Sequence, residues 1–205
     1  MSFIRPLSLL AVFFLFFTVS AYAAGPTEQV KKTIDKVIDI LKNKELKKPN
    51  KTEERRALLR KATEERFDYE EMAKRSLAVH WHKRTPQERK EFTSLFSELL
   101  ERSYINKIER YSDEQILYTE ESVDSHYGVV KTIILTKRNV EVPVDYRLLK
   151  SENQWKVYDI VIEGVSLVSN YRNQFNRIIR RDSYDELVKR LKTKKEELLF
   201  EEKAK

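Results

Sequence analysis

The hydrophobic period turns from helical to alternating near residue 112 and back to helical near residue 165, and the first of these changes limits the fold more than any other feature. Before it, apolar residues recur at helical spacing; after it, they alternate. Val30, Ile34, Val37, Ile38 and Leu41 predict one amphipathic helix over residues 27–46, which Pro49-Asn50 interrupts. Thr52 is placed to cap a second helix running to Lys61. Asp68 is placed to cap a third, with Glu71 as the return half of a capping box. Thr85-Pro86-Gln87-Glu88 is a stronger start signal: a cap, proline at the first helical position and Glu at the third. The long helix it opens should bury Phe92, Leu95, Phe96, Leu99 and Leu100, with Tyr104 and Ile108 on the same face.

Beyond the change, residues 115–121, 127–136, 140–150 and 154–163 read as four strands. Val140, Val142, Val144, Tyr146 and Leu148 make one apolar face. Lys137-Arg138-Asn139 and Ser151-Glu152-Asn153 are polar connections of hairpin length, so the strands should form an antiparallel meander. Pro143 lacks a ladder donor and predicts a bulge or an edge-facing position. Two helices follow, over residues 165–181 and 184–199. Helices, then an antiparallel sheet, then helices is an α+β pattern. A curved sheet closed by helices makes a cone with an apolar interior, where a ligand can sit between sheet and helices.

The first 23 residues have the form of a secretory signal peptide: Arg5, an apolar run from Leu7 to Val19, and Ala21-Tyr22-Ala23 for a peptidase. The run is shorter than the roughly 20 residues a membrane span needs. Cleavage after Ala23 leaves 182 residues and removes one cation, so the formal net charge falls from +7 to +6. The expectation is a periplasmic protein with one domain over residues 24–200. That domain is helical over 24–111, a sheet over 112–164 and helical again over 165–200. The chain has no cysteine, so its core rather than disulfides must hold it together. The basic excess favours anionic partners. Export, and the lack of Gly-rich loops or aromatic RNA-stacking motifs, argue against nucleic acid.

Few residues suggest chemistry. His80, His82 and His126 could supply three nitrogens to zinc, but nothing places His126 near the pair; Trp81 ending a helix in the core, with histidines at its margin, is the better reading. Asp159 and Glu163 are acids among hydrophobes. On a regular strand they share a face with Trp155, Val157 and Val161, where they could form a general acid/base pair. The better reading keeps both structural, with Glu163 meeting backbone N–H groups at the start of the following helix. Arg147 and Arg172 could grip a phosphate head group at a pocket mouth, guide docking on an anionic partner or membrane surface, or make surface ion pairs.

Five ordered blocks carry a resemblance: FDYEEMAKRSL from Phe67, His80-Trp81, TPQERKEF from Thr85, VPVDYRL from Val142, and WKVYDIVIEGVSLVSNYRNQF from Trp155. They resemble the MlaC family of periplasmic phospholipid-binding proteins, also known as toluene-tolerance or solvent-resistance auxiliary proteins. The resemblance implies an NTF2-like sheet of about four strands with an N-terminal helical subdomain. It also implies a non-enzymatic shuttle with no cofactor or metal, whose cargo is a phospholipid. Its implied partners are an inner-membrane ABC transporter complex, with a membrane-anchored substrate-binding subunit, and an outer-membrane lipoprotein complex.

On this reading the acyl chains lie between sheet and long helices. The helical lining candidates are Met72, Leu77, Phe92, Phe96, Leu100, Tyr104, Val165, Val168 and Tyr171. The strand candidates are Val144, Tyr146, Leu148, Trp155, Val157, Ile160 and Ile162. The two strand parities cannot both face one cavity, so some of these residues should fall outside it. Two other readings stay open: a cone-shaped isomerase or hydrolase using Asp159 or Glu163, and a structural envelope adaptor.

Overall fold

Each strand connection contains a residue in the left-handed region: Ser125 (φ 54°), Asn139 (57°), Glu152 (52°) and the pair Glu163 (49°) and Gly164 (80°). Turns of this kind reverse a twisted strand tightly. They produce a five-stranded antiparallel sheet in sequential order: β1 (Gln115–Asp124), β2 (Tyr127–Leu135), β3 (Glu141–Ser151), β4 (Gln154–Ile162) and β5 (Val165–Ser166). The computed structural model describes residues 24–203, so the expected signal peptide lies outside the described residues. Six α-helices accompany the sheet: α1 (Pro26–Lys42), α2 (Thr52–Glu64), α3 (Tyr69–Leu77), α4 (Pro86–Glu109), α5 (Leu167–Arg181) and α6 (Tyr184–Lys203). The α+β class follows, with one short strand more than the sequence suggests.

Helix α4 begins where its signal says. The Thr85 hydroxyl accepts from Glu88 N at 3.2 Å, and Thr85 N donates to the Glu88 carboxylate at 2.7 Å, a complete capping box. The box at Asp68 is only half formed: its carboxylate accepts from Glu71 N at 2.9 Å, but the Glu71 side chain turns to Lys74 and Arg75. Thr52 does not cap α2; it is the first helical residue, and its hydroxyl donates to Pro49 O at 3.0 Å.

Pro143 lies neither at a bulge nor on an edge strand. It pairs in register with Ile133. Its carbonyl accepts from Glu163 N at 3.0 Å. In an antiparallel ladder a residue's N–H and C=O point the same way, so the missing donor faces the β4–β5 turn, not β2.

The expected helix starting at Val165 is instead a tight hairpin, and α5 starts two residues later, at Leu167. Ser166 is its cap, accepting from Ser169 N at 3.0 Å.

A bulge in β4 resolves the parity conflict. Leu148 faces Val157, whereas Arg147 faces Asp159, so Tyr158 is an extra residue. Directly opposed residues share a face. The insertion therefore places Trp155 and Val157 on the same face as Ile160 and Ile162, opposite Leu148, Tyr146 and Val144. It also sends Asp159 and Val161 to the other face, so Asp159 does not share a face with Trp155.

Helix α1 covers the inner face. Gln29 fastens it: its amide oxygen accepts from Trp155 N at 3.0 Å and from the Arg66 guanidinium at 2.7 Å. Gly128 leaves room for the Trp155 ring, since a Cβ there would meet a ring carbon at 3.1 Å. Residues 66–68 run beside β4, with Val157 N donating to Arg66 O at 2.8 Å and Asp68 N to Val157 O at 2.9 Å. They occupy the middle of the β4 edge, and β5 occupies its end. Beyond that edge, α3 and α5 pack on β4 and on each other, while α4 lies between α3 and α6.

Candidate functional site

The apolar residues form separate bodies. Val30, Val130, Leu148, Trp155 and Val157 make a core between α1 and the sheet. Met72, Leu77, Trp81, Phe92, Phe96, Leu100, Val168 and Phe175, among others, make a larger core of helices alone. A third group around Leu41, Leu59 and Ile105 joins α1, α2 and α4. Phe67 packs against both the sheet core and the helical core, and is the link between them.

The sequence candidates divide along this line. Met72, Leu77, Phe92, Phe96, Leu100 and Val168 are closed inside the helical core, and Tyr104 and Tyr171 pack on its surface. Leu148, Trp155 and Val157 lie in the sheet core, with Tyr146 and Ile160 half-buried against it. Val144 is buried and Ile162 half-buried on the same sheet face. Val165 is 57% exposed on β5, at the rim rather than in an interior. Residues such as Phe92 and Phe96, both at 0% exposure, have no surface left to offer a ligand. The half-buried group does, and it is mostly aromatic: Phe67, Tyr104, Tyr118, Tyr146 and Tyr171, with Ile34 and Ile160.

Sequence reading passed over Phe67, Tyr118 and Ile34 as site residues. Phe67 sits just before the Asp68 cap and Tyr118 on β1, positions where an apolar or aromatic residue is ordinary structure.

The tyrosine hydroxyls are partly withdrawn from water, although Lys107 stands over the Tyr104 ring at 5.1 Å and Tyr171 hydrogen-bonds the Ser103 side chain. Burial pushes the Tyr146 hydroxyl up to about 12. Burial, then the neighbouring Tyr146, raises Tyr118, whose hydroxyl is buried without a hydrogen-bond partner among the described residues. Burial also raises Tyr171 and Tyr104, the latter helped by its neighbour Tyr171. Phe96 meets Tyr171 edge-on at 5.2 Å between ring centres and Phe175 at 5.5 Å. These rings give α4 and α5 a stiff apolar wall.

Asp159 is 3% exposed and fully engaged. It accepts from Val168 N at 3.0 Å, from the Ser166 hydroxyl at 2.6 Å and from Arg147 at 3.2 Å. It thus holds the start of α5 to β4, the role expected of Glu163, which is exposed in the turn. Arg147 is committed to Asp159, and Arg172 donates to the Ser169 hydroxyl at 2.8 Å. The two guanidiniums have separate partners on separate elements. His80 bonds Asn176 at 2.9 Å, and among the described residues no three His, Cys, Asp or Glu side chains gather as metal ligands.

Comparison with known proteins agrees with this architecture. A phospholipid-binding protein from Ralstonia solanacearum, solved in complex with a phospholipid, superposes with a TM-score of 0.76 at 27% identity. The match covers 86% of this chain and 99% of that one. An intermembrane phospholipid transport system binding protein MlaC from Haemophilus influenzae is 22% identical over 120 residues, 56% of each chain. The toluene tolerance protein ttg2D of Pseudomonas putida is 27% identical over 104 residues, 50% of this chain and 48% of its own. The chain thus matches about half the length of these curated relatives. The model of the MlaC protein family matches residues 31–193, most of the chain, and the chain belongs to that family.

Proposed function

We propose that the chain is a periplasmic phospholipid carrier, exported by its first 23 residues. It would take lipid from or deliver it to an inner-membrane ABC transporter complex, through that complex's membrane-anchored substrate-binding subunit, and exchange it with an outer-membrane lipoprotein complex. The observation that carries the reading is the division of the apolar interior into a sheet core and a helical core, joined through Phe67 and edged by half-buried rings. Acyl chains would enter along that seam, past Tyr104, Tyr171, Tyr146 and Ile160. The phospholipid held by the Ralstonia protein of the same fold supports the same cargo here.

The physics suits a carrier. Each buried methylene contributes about 0.8 kcal/mol, so one chain of about 15 methylenes gains roughly 12 kcal/mol relative to water. The bilayer offers the same gain, so transfer is nearly balanced and the lipid can be released. An enzymatic role for Asp159 finds little support, because its carboxylate oxygens are occupied by Val168, Ser166 and Arg147.

The test is uptake of a fluorescent phospholipid from donor vesicles. The wild type should extract it, and Ile160→Trp, which adds bulk at the seam, should extract several-fold less while melting as a folded protein. Equal uptake by the variant would remove the seam as the site.

A further inference from the structure

Helix α5 is unlike the other five α-helices: its 15 residues include no acid. They carry Arg172, Arg177, Arg180 and Arg181 among Asn170, Asn173, Gln174 and Asn176. At about 100° per residue, Arg172, Arg180 and Arg177 fall within an arc of about 140°, with Arg172 at the edge of the face that buries Val168 and Phe175 and the other two pointing away from it. Arg181 is spoken for by Asp182 at 3.0 Å. Arg172 has only the Ser169 hydroxyl, and Arg177 and Arg180 are exposed with no ion-pair partner among the described residues. Elsewhere the guanidiniums of Arg55, Arg60, Arg75, Arg84 and Arg190 each meet a carboxylate.

A second acid-free segment adjoins this face. The 3-10 helix Ala78–Lys83 is tied to α5 by the His80–Asn176 bond of 2.9 Å. It presents Val79, 70% exposed, beside exposed His82 and Lys83. An apolar tip beside exposed Lys83, on a segment bonded to an acid-free helix of arginines and neutral amides, suits a membrane surface. Guanidinium forks match phosphate oxygens, and a small apolar side chain can enter the headgroup boundary.

We infer that the polar face of α5, with Val79 beside it, docks on an anionic phospholipid bilayer, Arg172, Arg177 and Arg180 meeting lipid phosphates. This adds a membrane contact to the carrier reading, and it can fail while that reading stands.

Co-sedimentation of the full chain with vesicles tests it. Binding is expected to phosphatidylcholine vesicles containing phosphatidylglycerol, not to phosphatidylcholine alone, and to weaken as salt is raised. Each cation near such a surface is worth about fivefold in affinity, so Arg172→Gln/Arg177→Gln/Arg180→Gln should lose roughly a hundredfold. Its melting temperature and its bound phospholipid should be unchanged. The control Lys32→Gln/Lys44→Gln/Lys47→Gln removes the same charge from α1 and the segment after it and should lose less than about fivefold. Equal losses in the two triple variants would overturn the inference, reducing it to net charge. So would failure of the wild type to bind the anionic vesicles at low salt. A wild type that binds these vesicles but carries no lipid would instead count against the carrier reading alone.

Discussion

Replacing Asp159 by Ala removes one carboxylate that joins three elements. Val168 N–H, buried at the start of α5, would lose its acceptor, which costs about 1–3 kcal/mol. The Ser166 hydroxyl would lose a charge-assisted bond of 2.6 Å, worth about 1 kcal/mol more. Arg147 adds little, because its side chain is 43% exposed and water screens the pair. The sum is about 3 kcal/mol. In a chain of this size each kcal/mol moves the melting temperature by about 2–4 °C, so Asp159→Ala should melt about 6–12 °C lower. Asp159→Asn should lose about half as much, since its amide oxygen can still accept from Val168. Urea unfolding followed by circular dichroism gives the free energy, and hydrogen exchange at the Val168 amide locates it. Glu163→Gln is the control: exposed in its turn, it should stay within about 0.5 kcal/mol. An Asp159→Ala protein within that same margin, with Val168 still protected, would refute the reasoning.

Two further outcomes concern pH. Burial pushes Glu109 up, but bonds from Arg56 and Arg55 outweigh it and hold the carboxyl below its usual 4.5. Its stabilisation is therefore full above that value and fades as pH falls through the lower folded-state value. Glu109→Gln should flatten the acid limb of the stability curve and cost about 2–3 kcal/mol at neutral pH, where two half-buried guanidiniums lose the carboxylate they share while keeping Leu46 O and the Asn106 amide. Tyr146, raised to about 12, contributes stability below its ordinary 10 that is lost as pH rises through about 12. Phenolate absorbance should show several late-titrating tyrosines, Tyr118 and Tyr184 among them, and one fewer in Tyr146→Phe.

Where the sequence holds a local cause, it is readable. The Thr85 box, the apolar face of α4 and the four long strands all follow from spacing and caps. What stayed hidden depends on partners distant in sequence. The bulge at Tyr158 has no local mark, because its neighbours Val157 and Asp159 fit a regular strand equally well. Pro143 escapes its usual restriction only because β4 ends opposite it. Val165 has helical spacing to Val168, yet the left-handed Glu163-Gly164 turn puts it on a strand. Asp159 took the helix-start contacts expected of Glu163, because the bulge turns Asp159 toward α5 while the left-handed turn leaves Glu163 exposed.

The functional surface was the hardest to read. Phe96 on α4 and Tyr171 on α5 each fit the apolar spacing of their helix, but only packing shows that Phe96 is closed in and Tyr171 half open. An apolar residue at helical spacing looks the same whether it meets another helix or a ligand. Phe67, the link between the cores, is the clearest case: its position before a cap predicts a staple, and only the tertiary fold sets it against both bodies.

The central claim is that this interior holds phospholipid. Native mass spectrometry on protein purified from cells, with lipid extraction from the same sample, tests it most directly. The account predicts a mass increment that extraction identifies as phospholipid, diminished in Ile160→Trp. A wild-type protein that emerges lipid-free, and that accepts no phospholipid from vesicles afterwards, would contradict it.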